Sequence, residues 1–300
     1  MKQKLILFFE KFYYYPKYFI EFTFVICIFI LCLCLMSFRL SSFVIGYLFA
    51  FFGYLSPASK RIENNLRLIY PLMEEKFVQS MTKRIWFNTG RFIGETPYFF
   101  FLKWRSLQKC IKIENENILL DYIKKGQSVI LITSHIGNWW FVSRFFQHMK
   151  SPFFAIYRAQ NNPLIRFIVK ISSGAKTLAK GTGEMKNIIN VLKGEGNILT
   201  IFQDHRDRNG IKIPFLGVDA MTSPFFAKLA IKYNIPVIYT SCIRDKIHAT
   251  KFKMKFDILH SPKDNIINIE ELTKEINNKM SKDINESKEQ WFWLHKRWKM

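Results

Sequence analysis

The sequence predicts an α/β protein: a mixed central sheet covered by helices on both faces, preceded by an N-terminal membrane helix. Two observations carry this expectation. Residues 22–38, "FTFVICIFILCLCLMSF", contain no charged side chain. After Gly126, short apolar runs alternate with amphipathic stretches, the pattern of strands and helices in alternation.

A helix needs about 20 apolar residues to cross a bilayer, and the first run just reaches that length. The expected transmembrane helix covers about residues 18–38. A second run, residues 40–55, is nearly as apolar after a single Arg39 and reads as an interfacial or re-entrant helix. The first run is longer than the core of a signal peptide, and no small-residue cleavage site follows it. Lys2, Lys4, Lys11 and Lys17 precede the run while Lys60, Arg61 and Arg67 follow it, so charge bias does not fix the topology. Residues 1–56 are therefore expected to form the membrane anchor and residues 57–300 a second domain.

Pro57 opens a basic helical stretch that Pro71 closes, and a further helical region runs from Glu74 to about Lys103. Strands are expected at Ser128–Thr133, Phe153–Tyr157, Asn197–Phe202, Ile211–Phe215, Val237–Cys242 and Lys251–Leu259. Helices are expected at about Trp139–Met149, Pro163–Ser172, Gly183–Lys193, Pro224–Tyr233 and Ile269–Lys288. Ser223-Pro224 supplies a cap and a first-turn proline for one of them.

The net charge of +22 calls for acidic partners such as an anionic leaflet, phosphorylated lipid or an acidic carrier protein. Compositional bias toward Lys contributes as well. No nucleic-acid-binding motif accompanies the charge, so nucleic acid is not expected as a partner. An aromatic content of 17% suits contact with lipid. The five cysteines show no metal spacing and no disulfide framework, which suits a reducing compartment.

The stretch "ITSHIGNWWFVSR" places His135 after a strand and before a helix. Ligands of open α/β sheets bind at the carboxyl ends of strands, and a helix N-terminus disfavours imidazolium, keeping the ring able to accept a proton. Gly137 permits a close backbone approach, and Asn138 sets a polar side chain beside the base.

This block resembles the histidine–four-residues–acid motif of glycerolipid acyltransferases, and its Gly-Asn-Trp version resembles the late (secondary) acyltransferases of lipid A biosynthesis. Four further segments resemble that family in the expected order: "RIENNLRLIYP", "IYRAQNNPLI", "IFQDHRDRNGIKIPFLGVDAMTSPFFAKLA" and "QWFWLHKRWK". The resemblance spans about residues 57–299. It implies a glycerolipid acyltransferase-like fold on the cytoplasmic face of a Gram-negative inner membrane. The implied reaction moves a fatty acyl chain from acyl carrier protein to a hydroxyl of a phosphorylated glycolipid, the lipid A precursor; acylation of another glycerolipid or glycolipid is the alternative. His135 is the implied general base, with Asp204 as orienter or polar support. The thioester is already activated, so neither cofactor nor metal is required. Gly137, Asn138, Arg158 and Arg206 are the substrate-binding candidates, Arg158 through a phosphate or pantetheine contact. A surface arginine is the rival reading for Arg158, and no His-x-x-x-His or paired-carboxylate spacing suggests a metal site.

The sequence departs from the family where the motif acid should stand, because that position is Trp140. Indole donates one hydrogen bond and accepts none, so it cannot orient the imidazole. A family arginine about fifteen residues beyond the Tyr-Arg pair falls near Ser172-Ser173. Three readings follow. Asp204 or a backbone carbonyl orients His135; or the subfamily uses another register or tolerates the loss; or catalysis is gone and lipid binding remains.

Overall fold

The computed structural model describes residues 15–157, 162–164, 166–167, 174–179, 182–262 and 268–298. Nine strands form among the described residues: β1 (Ile111–Glu114), β2 (Val129–Thr133), β3 (Phe153–Tyr157), β4 (Lys176–Ala179), β5 (Ile198–Phe202), β6 (Ile211–Phe215), β7 (Val218–Thr222), β8 (Val237–Arg244) and β9 (Phe252–His260). Seven of them make one mixed sheet in the order β1-β9-β8-β2-β5-β3-β4, and β6 and β7 form a separate antiparallel hairpin. Parallel pairing joins β8, β2, β5, β3 and β4, whereas β9 runs antiparallel to β8. The mixed α/β class read from the sequence is the class observed.

Every residue of β2 is buried, as expected for a central strand covered on both faces. Its side chains alternate between two cores. Ile130 and Ile132 join one cluster, while Val129 and Leu131 join the other. Helix α6 (Trp140–Met149) covers the second face with Phe141, Val142, Phe145 and Phe146. The first face is covered by α7 (Met185–Lys193), α8 (Phe225–Tyr233) and α9 (Ile269–Glu286). In α9, Leu272, Ile276, Met280 and Ile284 recur every fourth residue, and Asn268 with Glu271 closes a capping box at its start.

Ahead of the sheet lie α1 (Tyr15–Leu35), α2 (Phe38–Leu48), α3 (Ser59–Ile69), α4 (Glu75–Phe101) and, after β1, α5 (Glu116–Lys124). The apolar N-terminal run divides at Ser37, whose side chain accepts from the Leu40 N–H and starts a second helix there. α1 is long and apolar enough to cross a membrane and is almost entirely unburied. α2 continues into a π-helical turn at Phe49–Gly53. It packs closely on α4: a Cβ on Gly90 would sit 2.5 Å from the Ile45 carbonyl oxygen, and one on Gly94 2.6 Å from that of Ser41.

Strands β1, β4 and β7 were not legible in the sequence. Each has four or five residues, and "IKIE", "KTLA" and "VDAMT" carry too little alternation to stand out. The helix expected at Pro163–Ser172 lies largely outside the described residues.

Candidate active site

Sheet register assembles the site. Thr133 of β2 pairs with Phe202 of β5 in parallel, and the Gln203 N–H donates to the Thr133 carbonyl. Two residues beyond each partner stand His135 and Asp204, side by side at the carboxyl rim of the sheet. His135 Nδ1 lies 2.9 Å from Asp204 Oδ1, and the His135 backbone N–H donates to Oδ2 at 2.8 Å. The imidazole keeps 17% of its side-chain surface, whereas Asp204 has none.

The third contact on Asp204 comes from the end of the chain. Trp291 Nε1–H donates to Oδ2 at 2.8 Å. The tail runs beside the His135 loop as a further extended segment, with the Phe292 N–H on the His135 carbonyl and the Gly137 N–H on the Gln290 carbonyl. Burial pushes the Asp204 carboxyl up, but His135 beside it, with help from His295 and His205, holds it well below the usual carboxylate range. A wholly buried, ionised carboxylate thus receives three hydrogen bonds, the arrangement that makes such a charge tolerable.

Aromatic rings frame the imidazole. Phe202 stacks on it at 4.1 Å between centroids, and Trp139 meets it edge-on at 5.0 Å. His205 and His295 close the remaining sides at 4.7 and 5.0 Å. Burial depresses the His295 pKa to about 3, so that ring is neutral, and its Nε2 is buried without a hydrogen-bond partner among the described residues. Arg297 is buried and clamps the tail through the carbonyls of His205 and Met221 and the hydroxyl of Thr222. The tail's indoles at Trp291, Trp293 and Trp298 are core residues.

Gly137 holds φ +62°, and a Cβ there would meet the Cys242 carbonyl oxygen at 2.0 Å. Only glycine fits that turn. Asn138 is wholly buried; its Nδ2 donates to Glu95 at 2.8 Å and its Oδ1 accepts from the Trp140 N–H at 3.2 Å. Its side chain therefore faces the interior rather than a substrate. Glu95 also pairs with Arg244 at 2.8 Å and accepts from the Ser42 hydroxyl. Arg206 follows His205 half-buried, with its Nε lacking a partner. Arg158 lies outside the described residues. Trp140 packs edge-on against Phe100 of α4, its centroid 5.1 Å away, in the apolar cluster beneath α6.

Sequence reasoning brought His135 and Asp204 to one place but missed Trp291 and His295 as neighbours. The segment holding both, "QWFWLHKRWK", stood out by its composition, and nothing local showed where it returns.

Fold and site together define a mixed α/β protein with a carboxylate-oriented histidine at the carboxyl ends of its central strands. The chain belongs to the bacterial lipid A biosynthesis acyltransferase family, whose model matches residues 7–300. It is an acyltransferase of lipid A synthesis, acting on a glycolipid acceptor. No curated protein matches it.

Proposed function

We propose that the protein transfers a fatty acyl chain from acyl carrier protein to a hydroxyl of a lipid A precursor, with His135 as general base. The contact between His135 Nδ1 and Asp204 Oδ1 carries this reading. A carboxylate on Nδ1 fixes the tautomer with the proton there and leaves Nε2 as the free acceptor. Nε2 takes the proton of the acceptor hydroxyl as its oxygen attacks the thioester carbon, and the carrier's thiolate leaves. Asp204 steadies the imidazolium that forms.

The missing motif acid then needs no replacement at Trp140. Asp204 reaches His135 from the neighbouring strand, which favours a working enzyme over a homologue that only binds lipid. Gly137 and Asn138 act as shape-keepers of the loop. Arg206, Arg158 and the excess of basic residues suit lipid phosphates and an acidic carrier. The unburied apolar surface of α1 supports attachment to a membrane; a donor delivered by acyl carrier protein calls for the inner membrane, with the sheet on the cytoplasmic side.

The test is His135→Ala in the purified full-length protein, assayed with acylated carrier protein and a lipid A precursor. A fall of about 10²–10⁴-fold is expected for loss of a general base, with membrane attachment retained. Mass spectra of lipid A from cells with and without the gene should differ by one acyl chain. Unchanged acylation by the His135→Ala protein would remove His135 from the mechanism.

A further inference from the structure

We propose that the three imidazoles of His135, His205 and His295 form a zinc-binding site whose occupation silences the base. One ligand atom from each of them, and one from Asp204, all lie within 4.8 Å of one another. The ring centroids are 4.5–5.0 Å apart, so the three rings enclose a single small space.

The roles of the four residues differ. Asp204 already accepts from the His135 backbone, the His135 ring and Trp291. With these three bonds already on it, Asp204 stands behind the site rather than in it. A carboxylate on Nδ1 of a histidine whose Nε2 faces outward is the outer-shell arrangement that orients histidine ligands toward zinc. His295 contributes a buried nitrogen without a hydrogen-bond partner among the described residues. His205 is exposed and forms the mouth through which an ion enters.

Three imidazoles with an open fourth position suit Zn²⁺. Tetrahedral Zn–N bonds of about 2.0–2.1 Å set donors about 3.3 Å apart, so nitrogens lying up to 4.8 Å from one another draw together as the ion binds. The ion would hold the Nε2 lone pair of His135, the same pair that accepts the hydroxyl proton. Zinc is therefore an inhibitor of this site and not its cofactor. That last step rests on the function proposed above; the binding itself does not.

Chelator-treated full-length protein in detergent is dialysed against Zn²⁺, and binding is repeated with Co²⁺ followed by visible absorption. One equivalent should bind, with the absorption of a four-coordinate Co²⁺ site. His205→Asn and His295→Asn should each weaken binding at least ~10-fold, as expected for loss of a ligand. His205 is exposed, so its variant decides the matter should His295→Asn fail to fold. Zn²⁺ should inhibit acyl transfer over the same concentration range, and chelator should restore it. Absence of binding in excess Zn²⁺, or binding unchanged in the His205 variant, would overturn the site. Binding without inhibition, or a zinc-loaded protein more active than the metal-free one, would overturn its inhibitory role. Metal-free protein that transfers no acyl chain at all would count against the proposed function, while zinc binding and its loss in the variants would still stand.

Discussion

Asp204 and Glu95 are the two acids with no exposed surface among the described residues, and they are held in opposite ways. Asp204 faces an imidazole that reaches solvent, and its other partners are a backbone N–H and an indole N–H. Glu95 faces the guanidinium of Arg244, the amide of Asn138 and the hydroxyl of Ser42. Arginine never releases its proton in proteins, so the Glu95 pair is a fixed fastening between α2, α4, β8 and the His135 loop. An imidazole can take up a proton and give it back within a reaction, so the Asp204 pair can take part in one. Burial makes both carboxylates costly to leave unpaired; the identity of the partner separates machinery from scaffold.

Substitutions can break this contrast. Asp204→Asn keeps the shape but removes the charge behind His135. Transfer should fall by roughly 10³–10⁴-fold, the scale of losing a triad orienter, with a near-unchanged thermal midpoint. Glu95→Gln should do the reverse. It leaves Arg244 buried without its counter-charge, at a cost of about 3–5 kcal/mol, seen as a lowered denaturant midpoint. If Glu95→Gln keeps its stability and loses transfer, the proposed division between the two acids collapses.

Smaller changes sharpen it. Gly137→Ala should cost at least ~2 kcal/mol, because the positive φ and the Cys242 carbonyl both oppose a Cβ; unfolding curves and transfer rates should decline together. Trp140→Phe should have the least effect. It removes an indole N–H that has no partner, and stability should stay within about 1 kcal/mol with transfer little altered. A large loss of transfer in this variant would mean that position 140 still serves the chemistry.

Much of the chain was legible beforehand, for a stated reason. Strands β2, β3, β5 and β8 are apolar runs bounded by turn residues, and α6 and α9 repeat their apolar side chains at helical spacing. Such periods report which face of an element is buried. The N-terminal helix was legible in the same way, although its end at Leu35 rather than residue 38 depended on a serine cap. The short edge strands were not, since four residues carry hardly two alternations.

Sequence alone determined that a histidine and an aspartate would each stand at the end of a buried strand, with glycine at the turn between base and helix. Local chemistry suffices for that, because strand ends and tight turns are set by neighbouring residues. Only the tertiary structure decided that these two strands are adjacent and in register, which joins residues 69 positions apart. It also decided that Trp291, 87 positions beyond Asp204, returns to bond that carboxylate, and that three histidines share one space. Periodicity describes how a segment faces a core but is silent on which other segment it meets there; sheet order and the path of the tail settle that question through contacts distant in the chain.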